Sequence, residues 1–401
     1  MHPNQYSAEQ LNAIINPVFI IEDIIWGDAS KGFIIRYHGK LRLDSEAAFQ
    51  QLLERLNPLS ITPLFRLEEG RQTIILTSGV VSPKPSDARI NLLLFVLTLV
   101  SMLFAGALYD YGGPQTEDMG LIVQYTLSHL DKGIPFAVSM LAILLAHEFG
   151  HYFMARRHKT QVTLPYYLPF PLSPFGTLGA FINLKEPPKN KRVLLDIGIG
   201  GPLAGLLVTL PVLFYGLFTS PLNYLPLSIE ASKGLSLEGN SIFYLLSKWI
   251  IFGQFIPAPQ HYDIPQFLYW VRYYLLGQPL PWGGLDVHLN AVAWAGWAGL
   301  LVTALNLIPA GQLDGGHLLY VLVGEKSKRL FIIILFLLFA LGFVWTGWWI
   351  WAVMIFFFGR TYAEPLDQIT PLDPRRRFLA YLGLVIFVLI FTPVPLIIVG
   401  A

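Results

Sequence analysis

The chain has 401 residues, of which 54% are hydrophobic and only 13% are charged. A soluble domain carries about 25% charge, so composition selects a polytopic membrane protein, and a net charge of +1 argues against a nucleic-acid partner. The absence of cysteine excludes disulfides, thiolate metal ligands and a cysteine nucleophile.

The opening MHPNQYSAEQ has the pattern of neither a signal peptide nor an Arg/Ser-rich transit peptide. Residues 1–85 are more polar than the remainder and are expected to form a small cytoplasmic α+β domain. VFIIEDIIWG and KGFIIRYHGKL are rich in β-branched and aromatic residues and predict strands. LDSEAAFQQLLERLN predicts a helix with Ala48, Leu52, Leu53 and Leu56 on one face, capped by Asp44 or Ser45. TPLFRLEEG and RQTIILTSG complete a ββαββ pattern, and VSPKPSD is the linker to a membrane domain spanning 86–401, with its core at 133–325.

About 20 apolar residues cross the hydrocarbon core. Such runs occur at Ile90–Tyr109, Gly133–Ala155, Val193–Phe218, Val287–Pro309 and Phe378–Val399. Leu330–Gly359 is an uncharged run flanked on both sides by basic segments, EKSKR and RTYAEPLDQITPLDPRRR. Two short spans turning near Thr346–Gly347 are expected there, with one strongly tilted helix as the rival. The fold class is thus a polytopic α-helical membrane protein of about seven spans. Orientation follows the basic residues: segment 156–192 carries seven Lys and Arg, 110–132 carries one, and 219–286 carries three. The basic side, with the N-terminal domain, is taken as cytoplasmic in a cell membrane, a thylakoid or plastid membrane being the alternative. The aromatic segments SIFYLLSKWIIFG and FLYWVRYYLLGQPLPWGG suit helices lying in the outer interface.

The chemistry concentrates in LLAHEFGHYFMARRH, residues 144–158. Residues four apart share a helical face, so His147 and His151 point the same way with Glu148 beside them. Two imidazoles at this spacing suit zinc, and the glutamate can act as general base towards water. Ionisable groups inside a span are costly and functional by default, and a chain with nine histidines rarely produces this pattern by chance. His147 lies nine residues before Arg156, about 13 Å from the cytoplasmic end of the helix. A catalytic zinc takes a third protein ligand. One candidate lies in NLIPAGQLDGGHLLY, residues 306–320: Pro309 and the glycines let the chain turn back, which aims Asp314 at the histidines or else leaves it as the cap of the next helix. His158, Asp196, His288 and His317 are the other candidates.

HEFGH inside a span, followed by N-x-x-P-x-x-x-x-D-G-G at the end of a later one, resembles the site-2 protease family of intramembrane zinc metalloproteases. PFGTLGAFINLKEPP resembles the family's membrane-dipping hairpin, and DIGIGGPLAG its G-P-x-A segment. The stretch VHLNAVAWAGWAGLLVTALNLIPAGQLDGGH is most similar to the plastid and bacterial subgroup known from plant chloroplast development. That subgroup has a G-N-L-R motif where this chain has Gly39-Lys40-Leu41-Arg42, and Lys40 departs from it.

The resemblance implies His147, His151 and Asp314 as zinc ligands and Glu148 as catalytic base. It implies that Asn306 binds the substrate carbonyl or oxyanion, and that Gly176 and Gly179 allow close substrate approach. Gly201, Pro202 and Gly205 are expected to serve helix packing. The implied function is an intramembrane zinc endopeptidase acting on membrane proteins with single transmembrane segments. A zinc transporter or a non-proteolytic scaffold is the alternative. The bilayer is the other partner, no nucleic acid is expected, and a homo-oligomer is compatible with the sequence.

Overall fold

The computed structural model describes residues 7–27, 32–80, 85–227, 235–359 and 363–399; residues 81–84 of the expected linker lie outside the described residues. The N-terminal part contains α1 (Ala8–Ile15), β1 (Phe19–Trp26), β2 (Ile35–Leu41), α2 (Ser45–Leu56), β3 (Ile61–Glu68) and β4 (Arg71–Ser78). The ββαββ order is as read from the sequence, with α1 added in front. Its start is polar, but Ser7 and Gln10 form a reciprocal cap and Leu11 and Ile15 are buried.

The strands form one antiparallel sheet in the order β1-β2-β4-β3. Burial alternates along β2 and β3, as a sheet with one covered face requires. Helix α2, capped by Asp44, covers that face with Ala48, Phe49, Leu52 and Leu56. Leu53 packs only at the rim. Phe49 takes the central position, its ring meeting that of Phe65 edge-on at 5.3 Å.

The membrane part follows with α3 (Ala88–Tyr109), α4 (Met119–Ser128), α5 (Ile134–Arg157), the hairpin β5 (Tyr166–Pro169) and β6 (Thr177–Phe181), and α6 (Lys191–Phe218). Then come β7 (Leu222–Tyr224), β8 (Leu235–Glu238), α7 (Ile242–Phe252), α8 (Gln266–Leu276), β9 (Leu285–Val287), α9 (Ala291–Asn306) and α10 (Asp314–Val323). The chain closes with α11 (Lys326–Leu341), α12 (Gly347–Phe358), α13 (Pro374–Ile390) and β10 (Leu396–Val399). Helices α7 and α8 occupy the two aromatic segments expected to be helical.

Among the described residues, three helical segments are long and apolar enough to cross a bilayer: Ala88–Tyr109, Leu130–Arg157 and Lys191–Phe218. The 330–359 run is two helices, interrupted between Leu341 and Gly347. The bend is tight, because a Cβ on Gly342 would lie 1.9 Å from the Trp349 ring.

Two expected spans are shorter than their apolar runs. Val287 belongs to β9, and α9 starts only after Asn290, which caps it. The run Phe378–Val399 is not one helix. Helix α13 stops at Ile390, and Leu396–Val399 pair antiparallel with β8. Pro393 and Pro395 account for this, since neither can donate a helical hydrogen bond.

Helices α5, α6 and α9 form the core that positions the site. Small residues set their spacing: a Cβ on Gly216 would fall 2.3 Å from Ala293 N, and one on Gly296 would fall 2.6 Å from Leu213 Cα.

The N-terminal sheet is tied to this bundle by the segment before α13. Phe65 N–H donates to Leu366 O (2.9 Å) and Gln368 N–H donates to Phe65 O (3.0 Å). This adds a short parallel bridge on the free edge of β3. Arg66 donates to the Pro365 and Leu366 carbonyls at 3.1 and 2.8 Å.

The N-terminal sheet and the helical bundle have separate apolar clusters. Phe65 is fully buried in the first. Phe65→Ala is expected to cost about 3–5 kcal/mol and to raise amide exchange throughout β1–β4 while α5, α6 and α9 stay protected. Equal acceleration in both parts would mean that the clusters unfold together.

Candidate metal centre

His147 and His151 lie one turn apart on α5 and are 3% and 7% exposed. Asp314 reaches them from another part of the chain. The turn after Asn306 contains Gly311 at φ +57, a conformation that favours glycine. The chain then doubles back so closely that a Cβ on Gly315 would lie 1.9 Å from Leu307 O. Asp314 occupies the first position of α10, whose start has no side-chain cap. The carboxylate is directed at the histidines, so the helix-cap alternative does not hold.

Three donor atoms form a nearly equilateral triangle. His147 Nε2 and His151 Nε2 are 3.2 Å apart, and Asp314 Oδ2 lies 3.4 and 3.3 Å from them. Zinc binds imidazole nitrogen and carboxylate oxygen at about 2.0–2.2 Å, so the edge of its coordination tetrahedron is about 3.3–3.5 Å. The triangle matches one face of that tetrahedron, and the N₂O donor set suits zinc. Among the described residues, these three form the one group of three or more His, Asp or Glu within metal-ligand distance. Two neutral ligands and one carboxylate would leave one positive charge on a divalent ion, an easier load in an apolar bundle than an unpaired charge.

The rings are held from the far side. His151 Nδ1 lies 2.7 Å from the main-chain carbonyl of Ile197 on α6. Donation to that carbonyl puts the proton on Nδ1 and leaves the Nε2 lone pair for a metal. The sequence reading took Gly201 and Gly205 as helix-packing residues. What they pack against are the imidazoles: a Cβ on Gly201 would sit 2.1 Å from His151 Nε2, and one on Gly205 would sit 3.1 Å from His147 Nδ1. Sequence reasoning missed this, and it missed the Ile197 carbonyl, because a backbone acceptor leaves no mark in residue type.

A cleft of about 310 Å³ opens on the triangle and is lined by Glu148, Asn306, Gln312 and His317 as well as the three donors. Glu148 is 4% exposed. Asn306 Nδ2 lies 3.3 Å from His147 Nε2, which puts its amide at the rim of the triangle. Ala180, Phe181 and Ile182 of the hairpin form the opposite wall.

Gly179 (φ +102) has open space around it. Gly176 (φ +69) faces away towards α3, where a Cβ would lie 2.6 Å from Ser101 O. Neither glycine lines the cleft beside the histidines. The other ligand candidates are placed elsewhere: His158 and Asp196 contact each other, and His288 lines a separate cavity with Asp286 and Glu238. His317 borders the cleft one turn after Asp314.

The model of the family described as Peptidase family M50 matches residues 135–344, more than half of the chain. The chain belongs to peptidase family M50. It is 26% identical over 404 residues to a protein named probable zinc metalloprotease EGY1, chloroplastic, from Oryza sativa subsp. japonica. That alignment covers 92% of this chain and 64% of the relative. The EGY1 protein of Arabidopsis thaliana is 24% identical, with 92% and 67% covered, and its EGY2 protein is 28% identical over 272 residues, with 67% and 43% covered. The chain thus spans about two thirds of the length of the EGY1 relatives. No solved structure matches.

For this M50 chain, the geometry predicts about one zinc per molecule, lost in His147→Ala and in His151→Ala. Asp314→Ala should weaken binding steeply, whereas His288→Ala should not. Gly201→Ala should weaken zinc binding about 10–100-fold, as loss of ligand orientation does, although no donor is removed. Metal analysis of purified variants checks all of these. Wild-type zinc content in Gly201→Ala would show that the ring tolerates displacement.

Proposed function

We propose that the chain is a zinc endopeptidase that hydrolyses peptide bonds in or near transmembrane segments of membrane proteins. The observation that carries this reading is the donor triangle with Glu148 at its side, buried in a helical bundle and open to a cleft bordered by a strand. The names of the EGY relatives, probable zinc metalloproteases, support zinc and proteolysis.

Bound zinc would supply a Lewis acid that polarises the scissile carbonyl and makes water easier to deprotonate. Glu148 takes the proton from the attacking water and delivers it to the leaving amine. A His147 nitrogen committed to the metal has no lone pair for Asn306, which frees the Asn306 amide to donate to the carbonyl oxygen as negative charge develops there.

A helical segment hides its peptide groups, so the substrate must be extended at the point of cleavage. Strand β6 has β5 as its partner in a two-stranded sheet, and its other edge is the one we propose takes an added substrate strand. Gly179 gives that edge a stretch without side-chain bulk, and Gly176 supports it by turning the hairpin against α3. Single-span proteins are the proposed substrates, because they can unwind locally without breaking a bundle.

We place the sheet of residues 1–85 and the basic segment 156–192 on one side of the membrane and the 219–286 region on the other. Seven spans follow if α11 and α12 form a hairpin. The relatives' names carry the word chloroplastic, which favours a plastid membrane over the cell membrane expected first. A reporter fused near residue 120 or 265 should therefore read opposite in side to one at 188 or 370. A reporter at 370 on the same side as 120 would reject the hairpin of α11 and α12.

Glu148→Gln tests the chemistry. It keeps the shape and the triangle, so zinc should be retained and single-span substrates should still bind. Loss of the base should slow cleavage by about 10²–10⁴-fold or more. Cleavage and zinc flux measured on the same reconstituted samples separate the two functional readings. Vesicles that move zinc, cut nothing and are indifferent to Glu148→Gln would establish a transporter instead.

A further inference from the structure

The glycines of α5 and α6 let the two backbones come into close contact. A Cβ on Gly150 would fall 2.4 Å from Gly200 O, and one on Gly201 would meet the His151 ring. Met154 and Ala155 of α5 also pack with Val193 and Ile197 of α6, but apolar packing and close backbone contact carry little of the directionality that a carbonyl aimed at one ring nitrogen requires. His151 depends on the register of the two helices, since the carbonyl that orients it belongs to Ile197.

The residue before Ile197 is Asp196, and its carboxylate is gripped from two other helices. His158 Nε2, on the residue that ends α5, is 2.8 Å from Asp196 Oδ2. Arg376, in the first turn of α13, donates Nε–H to Asp196 Oδ1 at 2.9 Å and Nη2–H to Oδ2 at 2.6 Å. Its remaining arm donates to Asp373 Oδ2 at 2.7 Å, and Asp373 itself caps α13. The guanidinium therefore grips Asp196 with both prongs, an arrangement that fixes direction as well as distance.

We propose that His158, Asp196 and Arg376 form a register clamp: positioning residues that hold α6 on α5 so that the Ile197 carbonyl stays in line with His151 Nδ1. The clamp touches neither metal donors nor substrate. It acts through one residue of helix backbone, and it ties the metal centre to α13 and so to the segment that docks on the N-terminal sheet. This assignment rests on His151 being a zinc ligand, as proposed above.

The test is zinc affinity of the full-length chain in detergent, by competition with a chelator, together with melting of the metal-free protein. Asp196→Ala and Arg376→Ala should weaken zinc binding about tenfold or more, while the metal-free chain melts near the wild-type temperature. Cobalt-loaded samples should show an altered ligand-field spectrum. Arg376→Lys, which can keep one contact out of two, should fall between wild type and Arg376→Ala. Arg36→Gln removes the Arg36–Glu68 ion pair of the N-terminal sheet and should leave zinc affinity unchanged.

Wild-type zinc affinity in both Asp196→Ala and Arg376→Ala overturns the clamp. If Asp196→Ala yields no folded protein, Arg376→Lys decides alone, and unchanged affinity in it overturns the proposal. His151→Ala separates the two levels: zinc retained there would refute the ligand assignment, whereas zinc lost there but kept in Asp196→Ala would refute only the clamp.

Discussion

The distance between α5 and α6 at Gly201 governs the rest of the site. His151 sits between its own helix and the backbone of α6, with the Ile197 carbonyl on one ring nitrogen and the donor triangle on the other. A wider gap would lose the carbonyl and free the ring to rotate. A side chain at Gly201 would press on Nε2. The triangle also needs α10 to arrive from across α6, and it does so through the same economy of bulk: a Cβ on Gly198 would lie 3.1 Å from His317 Cβ. Small residues thus do at this site what large apolar residues do in a soluble core, because helices in lipid gain little from burying apolar surface and much from close backbone contact.

Much of this was legible in the sequence. The His147/Glu148/His151 spacing on one helix face follows from helical geometry alone, and the turn chemistry around Pro309 and Gly311 indicated that the chain reverses before Asp314. Sequence could not decide whether Asp314 caps a helix or faces the histidines, because it does not fix whether Asp314 is the N-cap residue or, as found, the first residue inside α10. It separated α11 from α12 through the basic flanks. It misread 378–399, where hydropathy continues unbroken but two prolines end the helix and the last residues pair with β8, a strand about 160 positions earlier. Pairing over that distance has no local signature. The short strands β7 and β9 were missed for the same reason. In the N-terminal part the β-branched and aromatic runs indicated the strands, but not the docking of residues 365–368 on the sheet edge.

That docking gives the two parts of the molecule a shared element. Residues 363–373 hydrogen-bond to β3 at their start and lead at their end into α13. Near the junction Ser45 Oγ and Thr370 Oγ1 lie 2.7 Å apart, Thr370 also hydrogen-bonds to Asp367, and Arg192 at the start of α6 reaches Glu46 at 2.7 Å. The sheet is therefore fastened to two helices of the bundle rather than tethered by the linker alone.

The shape of the donor triangle also bears on which ions the site refuses. Calcium takes six to eight oxygens at about 2.3–2.6 Å, and magnesium prefers an octahedron of oxygens with several waters retained. Two imidazoles and one carboxylate, 3.2–3.4 Å apart, offer too few oxygens for either ion. Copper(II), the strongest competitor by intrinsic affinity, favours a tetragonal arrangement. The helices would have to flatten the triangle to provide it. If the three donors hold the metal, the packing that brings α6 within contact of His151 would favour a tetrahedral ion through geometry as well as through donor type.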